Sequence, residues 1–125
     1  ENGLSIIDQE LFNGPSSTMA GRQSLARLRA RSPEIDVVVF SNDDMAIGGV
    51  FHCIAEGIAL KDELAIFGFN GLELAEALPQ PLSTIRSRRF DIGRIAAEKI
   101  LANPLRGDVP EVIDTGYEIV AGGTA

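Results

Sequence analysis

Residues 36–49 read DVVVFSNDDMAIGG. Val37 to Phe40 is an unbroken apolar run, mostly β-branched, and predicts a strand buried on both faces as in parallel sheets. Ser41, Asn42, Asp43 and Asp44 follow, all of them residue types that cap helices. Behind them Met45, Ala46, Ile47, Val50, Phe51 and Ile54 keep a helical period. A polar cluster therefore stands at the carboxyl end of a strand and the amino end of a helix. In open α/β sheets small ligands bind at that place, because backbone N–H groups and short polar side chains converge there.

Outward from this stretch the chain alternates. On the N-terminal side, Leu4 to Asp8 reads as a short first strand, and Asn13-Gly14-Pro15 breaks the chain. Ser16, Ser17 and Thr18 offer N-caps for a helix over Met19 to Ala30, with Gly21 as a close-packing site on its apolar face. Arg27, Arg29 and Arg31 fall where cations suit the helix dipole, and Ser32-Pro33 ends the helix. On the C-terminal side, Gly57 is the expected C-cap of the second helix. Leu64 to Phe69 is another buried strand, closed by a second polar turn at Asn70-Gly71. A short helix over Leu72 to Leu78, an extended stretch over Leu82 to Ser87 and a helix over Phe90 to Ala102 come next. Pro104 to Pro110 is a loop, and Val112 to Ala121 forms one or two strands bent at Gly116. This alternation predicts an α/β fold with a parallel, doubly wound sheet covered on both faces.

The composition narrows the chemistry. A chain of 125 residues, 45% hydrophobic and 23% charged, holds one globular domain with a core. No apolar run approaches the roughly 20 residues of a membrane span, so no membrane partner is expected. The net charge of −7 argues against this segment gripping a nucleic acid backbone itself. The chain starts at Glu1 without Met or a signal-peptide pattern and reads as a fragment. Cys53 is the only cysteine and His52 the only histidine. A metal site, a cofactor and a Ser-His-Asp triad are therefore not expected, and the unpaired thiol favours a reducing, cytoplasmic compartment. His52 sits in mid-helix, pointing away from the strand ends. Gly48-Gly49 lies inside a helix and is no phosphate loop, and Gly68 lacks dinucleotide-fingerprint spacing. No catalytic residue and no enzymatic activity are predicted.

Asn42 and Asn70 each follow a strand and should stand side by side along one sheet edge. Carboxamides both donate and accept, which suits sugar hydroxyls. The pattern serves equally for a helix cap and for a ligand contact. The helix after Asn42 carries one further signal: between Met45 and Ala55 only His52 is strongly polar. A helix apolar all round needs covering on two sides, one by the sheet and the other by a neighbouring subunit or domain.

SNDDMAIGGVFHCIAEGI, LAIFGFNGLELAEALPQPLSTIRS and FDIGRIAAEKIL together resemble the effector-binding region of lactose/galactose-type bacterial transcription regulators, a periplasmic-binding-protein-like type I fold. The landmarks are Asn42-Asp43, Met45-Ala46, Gly48, Gly57, Gly68-Phe69, Pro81-Leu82, Thr84-Ile85 and Ile92-Gly93, and they span nearly the whole chain. The resemblance implies two α/β subdomains clasping a small ligand, with operator DNA bound by a separate helix-turn-helix absent here. It divides the chain into a C-terminal effector-binding subdomain (1–87), a helix returning to a missing N-terminal subdomain (88–103) and C-terminal strands (104–125).

The resemblance also implies ligand-contacting positions at Ser16, Asn42, Asn70, Ser87 and Arg89. Asn70 stands where the family usually has Asp, Ser16 where an aromatic residue often stacks on the sugar, and Ser87 where Gln is frequent. Gly122 replaces a common Arg. The Pro-Ser-Ser start of the first long helix and the FNG turn are similar to the gluconate-type branch. The expected function is a ligand-responsive regulator, a repressor sensing a sugar or a sugar acid such as gluconate. The alternative is a periplasmic sugar-binding receptor of a transport system. A homodimer is expected through Ile47, Phe51, Leu74 and Leu78.

Overall fold

The structure, a computed structural model, describes residues 5–102 and 112–125. Its elements run in the order α1 (Thr18–Arg31), β1 (Val37–Val39), α2 (Asp43–Glu56), β2 (Ala65–Asn70), α3 (Glu73–Glu76), β3 (Ser83–Ser87), α4 (Arg89–Ala102) and β4 (Tyr117–Val120). The sheet has the order β1-β2-β3-β4, with the first two pairings parallel and the last antiparallel. The predicted α/β alternation and the mostly parallel sheet are both present. The loop expected at Pro104 to Pro110 lies outside the described residues.

Local chemistry explains the boundaries. The Ser17 side chain accepts from the Ala20 amide at the start of α1, and Asn42 does the same for Met45 at the start of α2. Gly57 closes α2 in the left-handed conformation, with φ 71°. Helix α3 is shorter than the period of Leu72 to Leu78 predicts, because Leu72 is extended (ψ 145°) and Ala77 is already the cap. Gly116, at φ 71°, precedes β4 and marks the expected bend.

Helices α1 and α2 cross without side chains between them. A Cβ on Gly21 would lie 2.5 Å from Met45 Cα, and one on Gly48 would lie 2.7 Å from the Arg22 amide nitrogen and against the Thr18 carbonyl oxygen. This crossing covers part of the second side of α2 from within the chain, where a neighbouring subunit or domain was expected, and leaves Phe51 and Ile54 exposed. The core beneath it is built from Leu25, Leu28, Val38, Phe40, Ile47 and Ile66, among others. Two of the residues expected at a dimer surface belong to that core. Ile47 is 1% exposed and Leu78 7%, so neither offers surface to a partner, whereas Phe51 (43%) and Leu74 (56%) do.

Two strand expectations are corrected. Val38 is buried, but Val37 is 51% and Val39 70% exposed, so β1 is covered on one face only. The register puts Phe69 and Ile119 on the same face as Val37 and Val39, and both are exposed too. Helices α1 and α2 cover the opposite face, and the expected double cover is not completed within the described residues. Ser5 to Asp8 does not join the ladder. Side chains hold this segment instead: Arg31 donates to Asp8 (2.8 Å) and Glu10 (3.0 Å), Arg27 to Glu10 (2.6 Å), and the Ser32 hydroxyl to Asp8 (2.7 Å). The bonds from Arg31 and then Ser32 bring the Asp8 carboxyl down to about 2. The arginines of α1 thus do more than complement its dipole.

Helix α4 contrasts with the other long helices, since none of its residues is buried. Phe90, Ile100 and Leu101 are 83%, 68% and 81% exposed.

Candidate ligand site at the carboxyl edge of the sheet

The parallel pairings of β1 with β2 and of β2 with β3 bring three strand ends to one edge. Asn42 lies three residues beyond Val39, and Asn70 three beyond its register partner Phe67. Ser87 closes β3 beside them, and Arg89 opens α4.

Asn42 acts in two ways at once. Its Oδ1 accepts from the Met45 amide (3.0 Å), which is the cap, while its Nδ2 donates to Ser16 Oγ (2.9 Å). Because Ser17 caps α1, the Ser16 hydroxyl is left to meet Asn42, and Ser16 itself is exposed. The cap and the ligand contact are therefore not exclusive alternatives for Asn42.

Asn70 and Gly71 carry φ values of 118° and 70°. Glycine takes such angles freely, but for asparagine they are sparsely populated and cost on the order of 1–3 kcal/mol. The turn borders an open cleft of about 400 Å³ lined by Gly71, Arg86, Ser87, Arg88, Arg89, Phe90 and Asp91. Arg89 Nη2 donates to the Gly71 carbonyl oxygen at a long 3.4 Å. Arg86 is neutralised by Glu76 and Glu118, whereas among the described residues Arg89 has no carboxylate partner. A guanidinium so placed can receive an anionic group through two parallel hydrogen bonds.

The predicted residues thus form two clusters, Ser16 with Asn42 and Ser87 with Arg89 beside the Asn70-Gly71 turn. What ties the two together is a residue weighed in the sequence only as a second cap. Asp43 is fully buried, its Oδ1 accepting from Thr84 Oγ1 (2.7 Å) and its Oδ2 from the Leu72 amide (2.7 Å). The signal lay in Gly68: a Cβ there would strike Asp43 Oδ1 and come within 2.8 Å of Leu82 Cδ2, so the glycine is the space the carboxylate occupies. Gly122 has a similar reason. Its Cβ would lie 2.5 Å from the Leu82 carbonyl carbon, and its amide donates to Ser83 Oγ (3.1 Å), so no side chain fits there.

Elsewhere little chemistry is offered. Among the described residues no group of His, Cys, Asp and Glu could hold a metal ion, and no helix is long and apolar enough to cross a membrane. His52 is half-buried, and burial pushes the Cys53 thiol up to about 11.

Comparison with known proteins gives this edge a context. The periplasmic binding protein-like domain family matches residues 3–124. The HTH-type transcriptional regulator GntR of Pseudomonas aeruginosa is 36% identical over 120 residues, covering 95% of this chain and 34% of that protein. A crystal structure of a LacI family transcriptional regulator from Silicibacter pomeroyi superposes with TM-score 0.81 at 35% identity, over 98% of this chain and 38% of that one. The transcription regulator GntR from Chromobacterium violaceum gives TM-score 0.76 at 36% identity, over 88% and 41%. The chain spans about a third of the length of the curated relatives it matches.

Proposed function

Because the chain belongs to the periplasmic binding protein-like domain family, we propose that it is the effector-binding part of a ligand-responsive transcription regulator, a repressor of the LacI type. Its relatives are regulators, which favours this reading over the transport receptor of the same fold. Operator DNA is contacted through a separate domain, in keeping with this segment's net charge of −7. Such a regulator acts in the cytoplasm. Ligand shifts the population of closed subdomain pairs, and a homodimer passes the change to the DNA-binding heads. Phe51 and Leu74 are the exposed apolar residues that support a dimer contact. Helix α4, none of whose residues is buried, supports a return towards a second subdomain.

The effector we propose is a sugar acid such as gluconate, held by Ser16, Asn42, Asn70, Ser87 and Arg89. One observation carries this: Arg89 lines the cleft at the strand ends without a carboxylate partner among the described residues, next to an Asn70 that brings no negative charge. Ser16 offers a hydroxyl where stacking would need a ring. A charge-assisted hydrogen bond contributes roughly 1.5–3 kcal/mol, or about one to two decades of affinity. Calorimetric titration of the full-length protein with gluconate and with glucose tests it. Gluconate should bind tighter by at least tenfold, and Arg89→Ala should remove that margin. Equal affinity for both sugars in the parent would sink the acid reading.

A further inference from the structure

We infer that Asp43, seated by Thr84, is a positioning residue that holds the ligand-facing edge in its working shape. The inference rests on the reading of that edge as the effector site. Three observations converge on it. Asn70 occupies a left-handed conformation that asparagine rarely adopts, and such strain persists only where the surroundings over-determine it. The amide just beyond the turn, that of Leu72, donates to Asp43 Oδ2 at 2.7 Å, and Leu72 is the uncapped start of α3, so no side chain of its own holds the turn. The other oxygen, Oδ1, accepts from the fully buried Thr84 hydroxyl, again at 2.7 Å.

The carboxylate therefore links three strands, with Thr84 bracing it from near the start of β3. It belongs to the residue after Asn42 at the end of β1, it grips the chain two residues past Asn70 at the end of β2, and it is braced from β3, which leads into Ser87 and Arg89. Gly68 leaves the space it fills. A buried carboxylate that loses one of its donors keeps the cost of desolvation without the compensating bond. With the Thr84 hydroxyl gone, the cheapest relief is for Asp43 to turn away, which frees Leu72 and lets Asn70 relax out of its left-handed conformation. Asp43 touches no ligand in this scheme; it acts through Asn42 and Asn70.

The test uses the full-length protein, with gluconate as the titrant and hydrogen exchange of the Leu72 amide as a readout independent of ligand. Thr84→Val keeps shape and removes the hydroxyl; Thr84→Ser keeps the hydroxyl. Thr84→Val should lose at least tenfold in gluconate affinity and exchange the Leu72 amide at least tenfold faster, while Thr84→Ser stays within about twofold of the parent in both. Asp43→Asn should behave as Thr84→Val where it folds. Unchanged Leu72 exchange in Thr84→Val, or equal losses in the valine and serine variants, overturns the inference. Asn70→Ala separates the two layers. If it leaves gluconate affinity unchanged, the effector-site reading fails and with it the positioning role, even where Leu72 responds as expected. If it weakens binding while Thr84→Val does not, only the positioning role fails.

Discussion

Replacing Gly48 with alanine should destabilise the domain, although alanine is the better helix former. In mid-helix the exchange gains about 1 kcal/mol of helix propensity. At this position the new methyl would sit 2.7 Å from the Arg22 amide nitrogen and against the Thr18 carbonyl oxygen. Both are backbone atoms of α1, so no rotamer change gives relief and the helices must separate. Overpacking of this kind costs typically about 1–3 kcal/mol and sometimes more. Separation also loosens the core below, to which Leu25, Met45 and Val50 belong. Because the methyl meets only backbone atoms, the cost falls at the top of that range, and after the propensity gain the net expectation is a loss of about 2 kcal/mol, a large part of the roughly 5–15 kcal/mol that holds a domain together. Urea unfolding followed by circular dichroism should show the midpoint falling by about 1 M with an unchanged slope. Gly93→Ala is the control, since nothing lies within 4 Å of its added methyl and only the propensity gain remains. A Gly48→Ala midpoint equal to or above the parent's would refute the reading of α1–α2 as a glycine-mediated crossing.

Other consequences are as direct. Phe51→Glu in the full-length protein should shift sedimentation towards monomer, while Ile47→Ala, a change within the core, should cost about 2–5 kcal/mol of stability; a dimer untouched by Phe51→Glu would count against that surface. The Asp8 carboxyl sits at about 2 in the fold against its ordinary 3.8, so its contribution is complete above about pH 4 and fades as the pH falls towards 2. Acid should release the Asp8–Glu10 segment from α1 first, seen as faster hydrogen exchange there, and Arg31→Ala should return the Asp8 titration towards 3.8. With its thiol at about 11, Cys53 should react with thiol reagents at pH 8 only as fast as the domain opens, and prompt labelling of the folded protein would contradict its burial.

Much of the fold was legible because its signals are local. Caps at Ser17 and Asn42, the stop at Gly57 and the apolar periods of α1 and α2 are written in consecutive residues. The failures share one cause. Whether Val37 and Val39 are covered, whether Ser5 to Asp8 joins the sheet, and whether Ile47 faces a partner are questions about what lies across from a residue. A hydrophobic period records only that some cover is wanted. For α2 much of that cover came from α1, through two glycines separated by 27 positions, and Ile47 lies in the core rather than at the expected dimer surface, as does Leu78 beyond α3.

The site divides in the same way. Topology alone puts Asn42, Asn70 and Ser87 on one edge once the strands are known to be parallel, and the register bears out that placement. The role of Asp43 was not legible, because it depends on three separate facts: the missing side chain at Gly68, the hydroxyl of Thr84 and a left-handed turn that aims the Leu72 amide inward. An acid after a helix cap usually reads as a favourable charge near the positive end of the helix dipole. A first-turn acid on the solvent side fits that account, as Asp44 does. Full burial of Asp43 does not, since desolvation at 0% exposure outweighs the few tenths to one kcal/mol that a dipole contributes. Only specific donors compensate a buried carboxylate, and here they come from the turn after β2 and from β3. The edge that carries Asn42 and Asn70 is thus braced from beneath, by a fully buried side chain.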